Sequence, residues 1–318
     1  MTIFEKAMIN DYKYFKENSF NVNEQDQDGK SILHYAVLGN SFEVVQELIK
    51  RGVNINILDN NDETPLFDCA RKAKLEMAKI LIINYAKVNI QNKKGETPFH
   101  LAAAKADKKF IQLLVENNAL TNILTNDNLY PVHYAILAGK IDIIKHLLFL
   151  SNQSFLLLDK NNNSLLHYAA QTTNDLLIYY LISEGLNPNL LNNNFETPLF
   201  NAVRFGTKDT VTALLKNDAL INIKNINNET PLDYALIYNQ LQIETLLVNY
   251  QMLPKYERLE RNQALTIATL NRDIKEVKRL LSKNISMRYD KYNYSALDYA
   301  ILYKFNDIAN LLRECPAL

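Results

Sequence analysis

Cys69 and Cys315 are the only cysteines in 318 residues. That scarcity excludes a disulfide framework and fits a reducing compartment. Net charge is missing too, because 35 Lys and Arg balance 35 Asp and Glu. No global field therefore draws the chain to nucleic acid or to an anionic membrane. No apolar run approaches the ~20 residues of a membrane span. The start, MTIFEKAMINDYKYF, breaks its apolar residues with Glu5, Lys6 and Asp11, where a secretory leader has an unbroken core. A cytoplasmic location is expected. The motifs G-x-x-x-x-G-K-[ST], G-x-G-x-x-G, H-E-x-x-H and G-x-S-x-G are also absent, so neither an enzyme nor a cofactor is expected.

Asparagine, by contrast, is abundant, at 41 of 318 residues, while glycine numbers only 7. The Asn-rich stretches recur between apolar helical patterns, which assigns them to turns. One of them, NNNFETPLFNAVRFG (192–206), introduces the organising feature of the chain. Its Thr197-Pro198 suits a helix start: the Thr hydroxyl can accept a free helical N–H, and Pro fits the first helical position.

That four-residue box recurs. SILH begins at Ser31, TPLF at Thr64, TPFH at Thr97, YPVH at Tyr130, SLLH at Ser164, TPLF at Thr197 and TPLD at Thr230. Degenerate copies follow as QALT at Gln263 and SALD at Ser295, and the steps are 33, 33, 33, 34, 33, 33, 33 and 32 residues. Length alone would suggest two domains, but a sustained period signals a repeat array. Five residues into each repeat stands Ala36, Cys69, Ala102, Ala135, Ala169, Ala202, Ala235, Ala268 or Ala300. Apolar pairs such as Leu48-Ile49 and Leu214-Leu215, with Val45 and Val211 before them, make the i, i+3, i+4 stripe of a second helix.

The Thr-Pro-Leu-His box, the following Ala, the Leu-Leu pair and closing runs such as GVNIN (52–56) closely resemble the ankyrin repeat family. The resemblance covers residues 26–318, with residues 1–23 similar to a truncated capping unit. It implies an all-α repeat solenoid in which turns form β-hairpin fingers and two antiparallel helices follow each finger. Two segments are expected: 1–250, a cap plus seven repeats, and 251–318, an irregular junction followed by two degenerate repeats. Between Val248 and Asn262 the finger signature disappears.

Two residues before each box stands Gly29, Asp62, Gly95, Asn128, Asn162, Phe195, Asn228 or Asn293. Gly, Asn and Asp tolerate a positive φ and Phe does not, so a distorted finger is expected at Phe195. His34, His100, His133 and His167 share one column. Spaced one per repeat, they lack the ligand pattern of a tetrahedral metal site; the resemblance gives them structural bonds to the Thr hydroxyl and nearby backbone. Cys69, in a small-residue column, is expected to be a buried and inert thiol. The ending Cys315-Pro-Ala-Leu318 outlines a prenylation box, but Pro316 and the lack of an upstream basic run favour an unmodified tail.

Function is expected to reside in a column rather than a motif. Eight residues into each repeat the sequence reads Gly39, Lys72, Lys105, Ala138, Thr172, Phe205, Tyr238, Asn271 and Tyr303. In the resembled family this column and the finger tips line a concave binding face. Arg204, Phe205, Tyr238 and Tyr303 are the expected aromatic and arginine anchors. The competing expectation is that Phe205 and Tyr238 merely pack on the next repeat. Residues 71–110 carry 10 basic and 3 acidic side chains, so Arg71, Lys72, Lys93, Lys94 and Lys105 are expected to steer an acidic protein surface. The alternative there is a merely solvated charged face. Nucleic acid is not expected, because Phe99 and Phe110 fall at core positions. The expectation is a monomeric, non-catalytic scaffold that binds another protein. It could act as a bacterial effector on host proteins in the host cytosol, or as an immunity or inhibitor protein masking a toxin.

Overall fold

The computed structural model describes residues 1–105, 108–151, 156–283, 285 and 287–314. Cys315 and the rest of the tail lie outside the described residues. The chain divides into two compact bodies, Met1–Ser154 and Phe155–Leu318.

The first body opens with a short pair, α1 (Ile3–Met8) and α2 (Tyr12–Glu17). Then come α3 (Ile32–Gly39) with α4 (Phe42–Lys50), α5 (Pro65–Arg71) with α6 (Leu75–Ile83), α7 (Pro98–Lys105) with α8 (Lys108–Glu116), and α9 (Pro131–Leu137) with α10 (Ile141–Ser151). The second body contains α11 (Leu165–Ala169) with α12 (Asp175–Ser183), α13 (Pro198–Phe205) with α14 (Lys208–Lys216), and α15 (Pro231–Ile237) with α16 (Leu241–Gln251). Helix α17 (Pro254–Asn262) intervenes before α18 (Ala264–Leu270) with α19 (Ile274–Ser282) and α20 (Ala296–Leu302) with α21 (Asn306–Arg313). None of these helices is long and apolar enough to cross a membrane, among the described residues.

This is the all-α repeat solenoid expected. First helices stack on first helices: α1, α3, α5, α7 and α9 in one body, α11, α13 and α15 in the other. The small column makes this possible: Ala36, Cys69, Ala102, Ala202 and Ala235 are all fully buried. Gly39 shows how close the approach is, since a Cβ there would lie 1.9 Å from the Met8 carbonyl oxygen.

Asparagine and aspartate build the fingers. Five residues before the box, an Asn or Asp oxygen, or the Thr125 hydroxyl in one finger, accepts two main-chain N–H groups, as Asn192 Oδ1 does from Asn194 (2.9 Å) and Glu196 (3.0 Å). Successive fingers are tied by one backbone bond, such as Lys93 N–H to the Asn61 carbonyl (3.0 Å) and Ile226 N–H to the Asn194 carbonyl (2.9 Å). The left-handed position is kept at Asp62, Asn128, Asn162, Asn228 and Asn293.

Two sequence expectations are corrected. Phe195 does not distort its finger: it adopts φ +58° like the others, and Asn192 N–H still bonds the Glu196 carbonyl. A bulky residue there is strained by about 1–2 kcal/mol, and the ring gains compensating contacts, with the Arg272 guanidinium 4.0 Å above it and Phe305 edge-on at 5.8 Å. Thr197 does not cap α13 with its side chain. The Phe200 N–H reaches the Thr197 carbonyl instead (3.0 Å), and the fully buried hydroxyl has no hydrogen-bond partner among the described residues.

Helix α17 occupies the place of the missing finger, with Pro254 at its first turn and Tyr256 buried. Beyond it, α18–α21 lie against the loops of earlier repeats. Leu270 and Tyr299 share a core with Leu191, Leu220 and Ile223. Asn187 Nδ2 donates to the Tyr299 hydroxyl (2.6 Å), and the Tyr292 hydroxyl donates to the Asn217 carbonyl (2.7 Å).

Candidate recognition surface

The TPLF repeats, at Thr64 and Thr197, differ chemically from their neighbours. At His34, His100 and His167 of the boxes that carry His, the ring links two repeats. His34, His100 and His167 hold their Ser or Thr hydroxyl through Nδ1 at 2.8–3.0 Å. Nε2–H donates to a carbonyl of the following finger at 3.0–3.2 Å. Burial pushes each imidazole down to about 4, so these rings are neutral. Where Phe67 and Phe200 replace His, a different pair appears: an Arg eight residues after the Glu that precedes Thr-Pro.

In the second body that pair organises an aromatic cluster. Arg204 Nη2 donates to Glu196 Oε1 (3.0 Å), and the Tyr234 hydroxyl donates to the same oxygen (2.6 Å). The guanidinium lies 4.7 Å from the Tyr234 ring, 5.4 Å from Phe205 and 5.6 Å from Tyr238. Burial, then the bond to Glu196, pushes the Tyr234 hydroxyl up to about 12. Glu196 is itself buried. A rigid charged pair thus holds two aromatic rings that stay open to solvent, Phe205 at 55% and Tyr238 at 44% exposure. Beside them a pocket of about 260 Å³ is lined by Asn161, Asn193, Asn194, Glu196, Arg204 and Phe205.

The first body repeats the arrangement with charge in place of aromatics. Arg71 Nη2 donates to both Glu63 carboxylate oxygens (2.7 Å each), and Nη1 donates to Asp68 Oδ1 (3.1 Å). Its guanidinium is therefore paired within the chain, while its side chain stays 36% exposed. Lys72, Lys93, Lys94 and Lys105 are exposed and, among the described residues, form no ion pair. Lys93 and Lys94 border a pocket of about 480 Å³ together with Lys30, Asp59, Glu63 and Glu96.

Tyr303 is placed elsewhere. Its hydroxyl accepts the Leu191 N–H (2.7 Å) and its ring stacks on Tyr299, so it serves the docking of α20 and does not join Arg204 and Phe205. The carboxylates that fix the two arginines went unforeseen. Their signal was present: Glu stands before Thr-Pro at 63, 96, 196 and 229, and only the first and third of these have an Arg eight residues on. Cys69 is buried, and burial raises its thiol far above the ordinary range.

The comparisons agree with this architecture. The family model described as Ankyrin repeats (3 copies) matches residues 5–92, 74–161 and 166–258. A protein of Acanthamoeba polyphaga mimivirus named for its ankyrin repeats is 40% identical over 47 residues, 15% of this chain and 6% of the viral protein. With most of its length matched by that family model, the chain belongs to the ankyrin repeat family.

Proposed function

We propose that this protein recognises another protein, without catalysing a reaction, through the first-helix ends and finger tips. Ankyrin repeats are generally protein–protein interaction modules. The observation that carries the reading is the cluster at Arg204, where Glu196 and Tyr234 immobilise a guanidinium under two half-open aromatic rings. Such preorganised aromatic and arginine groups are what interface hot spots are made of, because little side-chain freedom remains to be lost on binding. Phe205 and Tyr238 are the anchors in this reading, Arg204 positions them, and Lys72, Lys93, Lys94 and Lys105 raise the association rate of a partner with an acidic surface. An effector acting on host proteins and an inhibitor masking a toxin would use the same surface and differ only in the partner bound.

The test is affinity capture of a partner, followed by its binding to a Phe205→Ala/Tyr238→Ala variant. Both rings are open, so the melting curve should stay within a degree or two while affinity falls at least about 30-fold, as loss of two anchors of 1 kcal/mol or more implies. Full affinity in the folded variant would refute the aromatic site.

A further inference from the structure

Helix α15 ends a stack whose next layer is missing. Six residues into the repeats that have a following first helix stacked on them, the side chain is buried. Val37, Ala70 and Ala103 in the first body, and Ala170 and Val203 in the second, are all fully buried there. Leu236, in the same column, is 52% exposed, and its neighbours Ile237 and Leu241 are 56% and 71% exposed. The finger layer stops at the same place. Among the described residues no N–H reaches the Asn227 carbonyl, the position that accepts a bond at Asp28, Asn61, Lys94, Asn161 and Asn194.

A second column carries charge where every other repeat is apolar. Fourteen residues in stand Val45, Ala78, Ile111, Ile178, Val211 and Val277, all fully buried. In the α15–α16 repeat that position is Glu244, half-buried at the open end. Its carboxylate has no hydrogen-bond or ion-pair partner among the described residues. It stands in an unbroken acidic stretch: residues 225–254 contain Glu229, Asp233 and Glu244 and no Lys, Arg or His.

The chain's own next repeat cannot supply the cover. Residues 252–262, MLPKYERLERN, have Arg261 where a finger needs Gly, Asn or Asp. They are held as α17 by Tyr256, whose hydroxyl accepts the Ile221 N–H (2.9 Å). Two copies meeting through this face would oppose Asp233 and Glu244 to their own images, which charge repulsion disfavours.

We propose that the open end of the α15–α16 repeat is a docking surface for a basic amphipathic helix of a protein partner. Such a helix takes the seat of the absent first helix, lays its apolar stripe on Leu236, Ile237 and Leu241, and brings a Lys or Arg to Glu244. Tyr238 follows Ile237 directly, but its ring lies toward Arg204 of the preceding repeat, so the two surfaces can be tested one at a time.

The probes are two synthetic helical peptides of about 18 residues, five turns. They share one Leu/Ala stripe and carry either Lys or Glu on the flanks. Fluorescence anisotropy against the full chain should show saturable 1:1 binding of the Lys peptide, with the Glu peptide at least about tenfold weaker. Leu236→Ser/Ile237→Ser should weaken the Lys peptide by about tenfold or more. Glu244→Gln should weaken it about threefold, with a shallower salt dependence. Phe205→Ala/Tyr238→Ala should leave it unchanged. The proposal is overturned if the Lys peptide does not bind, if both peptides bind alike, or if the serine pair has no effect. Loss of the peptide with the Phe205/Tyr238 variant would also overturn it, placing the helix on the other surface. So would a concentration-dependent dimer in sedimentation that the serine pair abolishes, since a second copy would then be the occupant.

Discussion

Removing a hydroxyl from the box threonine should have opposite effects in two kinds of repeat. Among the described residues Thr197 Oγ1 is buried with no partner, as is Thr64 Oγ1, because Phe200 and Phe67 fill the column that holds His at 34, 100, 133 and 167. Thr97 Oγ1, in a His repeat, meets His100 Nδ1 at 3.0 Å. Valine keeps the shape of threonine and its preference for the extended backbone seen at Thr197, φ −85° and ψ 165°. At Thr197 the change removes an unpaired buried polar group, whose desolvation costs about 1–3 kcal/mol. Thr197→Val should therefore stabilise the protein by about 1 kcal/mol, whereas Thr97→Val, which breaks a made bond, should cost about 1 kcal/mol. Urea unfolding followed by far-ultraviolet circular dichroism resolves this as midpoints moving in opposite directions at unchanged slope. Hydrogen exchange of the α13 amides localises the gain, since repeat arrays need not unfold in one step. A loss at Thr197→Val equal to that at Thr97→Val would refute the argument and restore the hydroxyl as a helix cap.

The other expectations concern backbone, protons and cooperativity. Asn228 sits at φ +67°, so Asn228→Val should cost about 1–2 kcal/mol, and an unchanged urea midpoint would refute it. His34, His100 and His167 are each lowered from 6.5 to about 4 by burial. The folded chain then binds fewer protons than the unfolded chain between these values. Stability should be intact above about pH 6.5 and fall as pH drops toward 4; imidazole NMR signals from these rings titrating near 6.5 would contradict this. We also propose that residues 251–318 unfold apart from 1–250, because the finger layer is broken at α17 and docking of α18–α21 on the loops at Leu191, Leu220 and Ile223 replaces regular nearest-neighbour stacking. Hydrogen exchange should show α18–α21 opening at lower free energy than α13–α16, and one common opening energy would refute it.

The stacking pattern was legible because repetition averages out noise. One Thr-Pro pair is a weak helix signal, but nine boxes at nearly constant spacing fix the register of the helix pairs and of the fingers before them. The Asn-rich turns were legible for the same reason, since an Asn or Asp acceptor recurs five residues before the box. What a column cannot show is the partner of a side chain. Arg204 reads as a free anchor until Glu196 is seen beneath it, and Arg71 reads as a surface charge until both Glu63 oxygens are found on it. Phe195 misled in the opposite direction. Its intrinsic strain was read correctly, yet contacts with Arg272 and Phe305, 77 and 110 residues away in sequence, outweigh it.

The seventh and ninth repeats show the limit most sharply, because α15 and α20 have nearly the same sequence, LDYALIY from Leu232 and LDYAILY from Leu297. Tyr234 donates to Glu196 in the repeat before it, as Tyr134 does to Glu96. Tyr299, in the same column, donates to Asp290 of its own finger, as Tyr35 and Tyr168 do to Asp26 and Asp159, but it also accepts from Asn187, 112 residues back. Tyr238 holds an open ring beside Arg204, whereas Tyr303 takes the Leu191 N–H. Nothing within the two heptapeptides distinguishes these fates. The difference arises at residues 252–262, which lack a turn residue at Arg261 and carry Pro254 and Tyr256 to make α17. That helix ends the finger layer, leaves Leu236 and Glu244 at an open end, and sends the following repeats against the loops at Leu191, Leu220 and Ile223. A short segment with the wrong chemistry for a turn therefore decides both which tyrosines remain available to a partner and which face of the array stays unfilled.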